Sequence, residues 1–182
     1  LLQDLKLASS STLYLEAGGG LSLPTGRFVT DPLEDYFLPD NFSPGRGALA
    51  YTPSFLVAVN GNQLGVSLNG EGKWHHRTED DYRFGTEMRL AGQVFSQLKL
   101  GASSSWIPYT GLQYERTSAN QSRNGNPVHA TGGEALLAKA GIQFRFIEFA
   151  GGFSFTAPLS TDYASGEVGG KMRVSAEVFY QF

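Results

Sequence analysis

The sequence has no cysteine among its 182 residues. That excludes a disulfide framework and every metal site built on thiolates, and it is compatible with an oxidising compartment without requiring one. Charge is also sparse. Lys, Arg, Asp and Glu make up 17% of the chain and the formal net charge is −3, so no basic surface suggests nucleic acid as a partner. No apolar run approaches the roughly 20 residues that a membrane-spanning helix needs. No signal peptide is present, so an exported protein would stand here in processed form. The abrupt start at Leu1-Leu2-Gln3 suggests residues upstream. A helical period is missing as well: nowhere do apolar residues recur at three- and four-residue spacing.

What the chain has instead is 23 glycines, 13% aromatic residues and alternation with period two. A short strand is expected over Leu1–Leu7 and a long one over Thr12–Leu23. In the latter, Leu13, Leu15, Ala17, Leu21 and Leu23 face one way, and Tyr14 and Glu16 the other. Strands follow at Gly47–Val59 and Asn62–Trp74, joined at Asn60-Gly61, a strong hairpin signal because both residues tolerate positive φ. Tyr82–Ser96 alternates most cleanly. A turn near Gln97 leads into a strand ending near Arg116, then come Glu134–Phe146 and a strand carrying Phe149, Phe153 and Phe155, separated by a minimal turn at Ile147-Glu148. The final strand, Lys171–Phe182, sets Met172, Val174, Ala176, Val178, Tyr180 and Phe182 against Lys171, Arg173, Ser175, Glu177 and Gln181. The whole of residues 1–182 reads as one all-β domain.

Short connections alternate with long ones along this series. Most strands also run beyond the roughly 9–11 tilted residues needed to cross a bilayer, and well beyond a common strand of about 5–6. Both features predict a transmembrane antiparallel up-and-down β-barrel, with short periplasmic turns and long extracellular loops. Alternation alone leaves a soluble barrel open, because that class alternates too, with its apolar face turned inward. From Thr12 onward there are eight strands, and Leu1–Leu7 is a ninth. Bacterial barrels close on even numbers, so the first segment is a tail, or ten or twelve strands complete the wall. The terminal Tyr180 and Phe182 look like the signature that the barrel-assembly machinery reads on a closing strand.

Several stretches resemble a family of outer-membrane barrels named for the meta-pathway of phenol degradation and described as transporters. They are Gly18–Gly26, Pro44–Gly47, Asp81–Gly85, Pro108–Tyr114, Thr131–Gly133, Gly141–Phe146, Ala157–Leu159 and the terminal strand. Each piece is short and degenerate, though together they span nearly the whole chain. The resemblance implies a channel for small molecules, aromatic ones among them, in the bacterial outer membrane. It transfers no catalytic residue.

With the apolar face against lipid, the other face lines the lumen. That places Glu16, Glu71, Lys73, Arg83, Glu87, Arg89, Glu115, Lys139, Arg145, Lys171, Arg173 and Glu177 inside. The mixed signs can pair across strands, as buried charges must. In a narrow closure they form a salt-bridged plug, and the barrel then serves as an anchor or sheath for a protein partner. In a wider one they line a pore and set its selectivity. His75, His76 and His129 lie near Glu79, Asp80 and Asp81, but adjacent histidines on a strand point to opposite faces, which is poor for a shared metal. No catalytic residue, metal or cofactor is expected. Tyr14, Tyr82, Tyr109, Tyr114, Tyr180, Trp74 and Trp106 suit interfacial girdles. Phe28, Tyr36, Phe37 and Phe42 fall in a loop long enough to be functional or disordered.

Overall fold

The computed structural model describes residues 11–26, 45–101 and 103–180, together with the backbone of residues 2–8. These residues form one antiparallel up-and-down sheet. Its strands are β1 (Leu2–Ala8), β2 (Ser11–Ser22), β3 (Ala50–Asn60), β4 (Leu64–His75), β5 (Glu87–Ser96), the two-residue β6 (Leu98–Lys99), β7 (Ser104–Thr117), β8 (Gly133–Phe146), β9 (Phe149–Tyr163) and β10 (Arg173–Tyr180). The order across the sheet is β1-β2-β3-β4-β5-β7-β8-β9-β10, with β6 paired beside β7. Apart from one 3-10 turn at Ala164–Gly166, no helix occurs among the described residues. β1 and β10 are the two edges and no ladder joins them among the described residues, so the sheet they form is open. Because every pairing along the path is antiparallel, β1 and β10 run in the same direction, whereas β2 and β10 run in opposite directions.

Connections at one end of the sheet are short, at residues 61–63, 100–103 and 147–148. Those at the other end are longer, at 23–49, 76–86, 118–132 and 164–172. Asn60-Gly61 does mark a hairpin, but Asn60 is the last residue of β3 and the loop is 61–63, closed by Gly61 N–H donating to Leu64 O at 2.8 Å. Near Gln97 the chain does not turn. It runs on in unchanged register, Phe95 opposite Tyr109 and Leu98 opposite Trp106, with Gln97 N–H donating to Gln63 O, and continues as β6 to a turn where Gly101 takes φ +78. β9 runs to Tyr163 by bulging at Leu159: Leu136 pairs with Ser160 and Leu137 with Pro158.

The two faces differ in chemistry. One carries exposed large apolar side chains across the sheet, among them Phe55, Val66, Leu90, Leu112, Phe153 and Val174. Cross-strand register joins them without a break, for example Val59↔Val66↔Val94 and Ile142↔Phe153↔Ala176. Aromatic rings gather at both ends of this face. Tyr51 stacks on Trp74 with centroids 5.4 Å apart at the long-loop end, while Trp106, Phe144 and Phe146 cluster at the short-turn end beside the Phe149–Tyr180 pair. Tyr14 and Tyr109, expected in the girdles, lie on the opposite face, in register with Ala58 and with Phe95 and Gly141. Phe28, Tyr36, Phe37, Phe42 and Phe182 lie outside the described residues.

Candidate functional site

The charged face is concave, and one contact shows it. Register places Arg173 of β10 opposite Thr156, then Lys139, then Gly111 of β7. Glu115 lies four residues further along β7, three strand spacings from β10. In a flat sheet those backbones would be about 14 Å apart across the strands and about 13 Å apart along them. Yet Arg173 Nη1 and Nη2 reach Glu115 Oε1 and Oε2 at 3.4 Å each. Only a sheet curled towards this face brings them together.

Glu115 is the hub of the face. From β5, Arg89 Nε approaches its Oε1 at 3.4 Å, while Arg89 Nη1 donates to Glu71 Oε1 of β4 at 2.5 Å. Gln113 Nε2 donates to Oε1 at 2.6 Å, and Tyr163 O–H of β9 donates to Oε2 at 3.3 Å. The carboxylate side chain is 16% exposed, whereas those of Arg89 and Arg173 are about half exposed at 48% and 54%. A half-enclosed anion is thus held by donors from β5, β7, β9 and β10. The pairing neutralises charges that would otherwise be expensive to hold out of water.

A second cluster closes the long-loop end. Residues 82–86 do not continue β5, because they bond to the loop that follows β7. Arg83 N–H and Gln121 N–H exchange bonds with each other's carbonyls at 3.0 and 2.8 Å, and Thr86 N–H donates to Ser118 Oγ. Asn120 accepts from Gly85 N–H and donates to the Tyr82 hydroxyl, both at 2.8 Å. Tyr82, expected in an interfacial girdle, and Phe84 are therefore buried between two loops with their rings edge to face. Arg46 sits over the Phe84 ring and donates to Glu87 Oε1 at 2.7 Å, with its Nη1 2.6 Å from His75 Nε2. The His75 side chain is 1% exposed.

Of the residues expected in the lumen, Glu16, Glu71, Lys73, Glu87, Arg89, Glu115, Lys139, Arg145, Arg173 and Glu177 share the concave face by register. The fold brings Glu71, Arg89, Glu115 and Arg173 into one network and leaves Lys73, Lys139, Arg145 and Glu177 without an ion pair among the described residues. Glu87 lies opposite Lys73 in register but takes Arg46 instead. Arg83 belongs to the loop cluster, and Lys171 precedes β10, where Gly170 N–H bonds to Thr161 Oγ1. Tyr180 is on β10 and places its hydroxyl 3.3 Å from Glu148. Arg46, Gln113 and Tyr163 are additions from the structure. Period two does put Gln113 beside Glu115, but nothing local to Arg46 or Tyr163 points to their partners. His75 faces Phe84 while His76 lies near Tyr51, and no group of His, Asp and Glu suited to a metal occurs among the described residues. No protein-family model, no curated protein and no solved structure matches the chain.

Proposed function

We propose that this chain is the wall of a β-barrel in the bacterial outer membrane and passes small molecules, aromatic ones among them, along its charged concave face. One observation carries the reading: the exposed convex face is apolar from β2 to β10, while the charges line the inside of the curl. A soluble barrel turns its apolar face inward, the reverse arrangement. In water an exposed apolar face of this extent is a liability, whereas in lipid it is the required surface. Aromatic clusters at both of its ends suit the two headgroup levels. The resemblance to the phenol meta-pathway barrels agrees with this and suggests the solute class.

Unpaired backbone groups cost several kcal/mol each in lipid, so both edges must be covered there. Closure that keeps the antiparallel pattern takes an even number of strands: eight if β2 meets β10 with β1 set aside, ten or twelve if further strands join. The assembly machinery would insert such a wall, with the short turns on the periplasmic side. The bridged arginines favour a second reading, a narrow plugged barrel that anchors a protein partner.

Purified protein refolded into lipid vesicles tests both readings. A folded barrel shows a heat-modifiable gel mobility, and a channel lets vesicles swell in small neutral solutes. Folded protein that never permits swelling supports the plugged anchor. A chain that is monomeric and folded without lipid or detergent excludes both.

A further inference from the structure

Glu115 is the only carboxylate among the described residues that two arginines from different strands approach. We infer that the Arg89–Glu115–Arg173 bridge is the charge-selecting constriction of the lumen, an inference that rests on the outer-membrane channel reading. The contact crosses the curl rather than following a ladder, since Arg173 reaches over β9 and β8 to meet β7. An offset of four residues over three strands is about what strands tilted by about 45° give to groups at one height in a barrel. The bridge is therefore a bar across the passage and not a line along its wall.

The chemistry of the bar sets what it discriminates. Glu71 and Glu115 balance Arg89 and Arg173, so the bar is neutral as built. The guanidinium edges of Arg89 and Arg173 are exposed, as is the Glu71 carboxylate, while the Glu115 carboxylate between the two arginines sits recessed and is further held by Gln113 and Tyr163. Glu115 thus suppresses what would otherwise be a site for small anions, carboxylates and halides alike, between two guanidiniums that match such groups by geometry. Removing its charge releases that site. Removing Arg173 instead leaves an excess carboxylate at the same level and favours cations.

Three substitutions separate charge from obstruction. Glu115→Gln and Arg173→Gln each break the bar, so single-channel conductance in planar bilayers should rise about twofold in both. Under a KCl gradient their reversal potentials should move in opposite directions, towards anions for Glu115→Gln and towards cations for Arg173→Gln. Arg173→Lys keeps the charge but loses the two-pronged contact, so it should raise conductance with the reversal potential unchanged. Arg173 is half exposed on an edge strand, so its two variants give the answer even where Glu115→Gln does not fold. A wild type that is closed while the variants conduct also supports the bar. A conducting wild type matched by all three variants in conductance and reversal potential overturns the inference and leaves the channel reading standing. Folded protein that conducts in no variant overturns both.

Discussion

Asn120 satisfies two buried partners with one side chain, accepting from the Gly85 amide and donating to the Tyr82 hydroxyl. Its own amide takes Thr131 Oγ1 and its carbonyl takes Val128 N–H, so it ties the loop after β7 to the loop before β5. Asn120→Ala leaves a buried donor without its acceptor, which costs about 1–3 kcal/mol. The expected outcome is a lower unfolding midpoint and faster proteolysis within residues 76–86, with the strands still folded. Protease resistance equal to the wild type would mean that the two loops hold together without this residue. Arg46 acts beside it in a different way, since its one guanidinium contacts Glu87, His75 and the Phe84 ring together. Lysine, a point charge without the planar fork, could not make all three contacts.

At the scale of the strand, the two faces can be tested separately. Leu112 lies mid-way along β7 on the apolar face, between Gly92 and Ala138, and is 52% exposed. Leu112→Arg should destabilise the protein in lipid by about 2–4 kcal/mol if the membrane reading holds. Ser175→Arg on the concave face of β10 should cost far less. Denaturant unfolding in vesicles orders the two, and the reverse order would mean that the faces are exchanged. Pairing between strands also depends on glycine at particular positions. At Gly141 an added Cβ would sit 2.5 Å from Phe153 O and 2.6 Å from the Tyr109 ring, which lies across the glycine. Gly141→Ala must therefore displace backbone or ring and should lower stability by about 1–3 kcal/mol, as overpacking does. An unchanged thermal midpoint would show that Tyr109 moves aside freely. Gly101 is a contrasting case: it needs glycine for its φ of +78, with no neighbour crowding it.

For the molecule as a whole, the alternation of short and long connections predicts an orientation. The absence of cysteine makes this direct to measure, because any introduced thiol is unique. Asn124→Cys lies in the long connection after β7, and Ser103→Cys in the short turn before it; both positions are exposed. In intact cells a membrane-impermeant maleimide should label Asn124→Cys and reach Ser103→Cys only after the outer membrane is permeabilised. Equal labelling of both in intact cells would remove the orientation, and with it the placement of the short turns in the periplasm.

Sequence alone determined the elements and their two faces. Period two is a property of adjacent residues, so the side that Glu71, Arg89, Glu115 and Arg173 share, and the apolar side that Phe55, Leu90 and Val174 share, could be read without any fold. Neighbouring strands joined by short turns were legible for the same reason, though the turn expected near Gln97 falls at residues 100–103 and β9 carries a bulge at Leu159. The tertiary structure decided what local periodicity does not encode. Tyr82 and Phe84 alternate as a strand would, but residues 82–86 find their partners in residues 118–121, so the strand stops and the rings are buried. Arg46 meets Glu87 across 41 residues of sequence, and Arg173 meets Glu115 across 58. Which charges on a shared face touch depends on the curl of the sheet. That curl is set by the whole sheet acting together, and no single strand carries it.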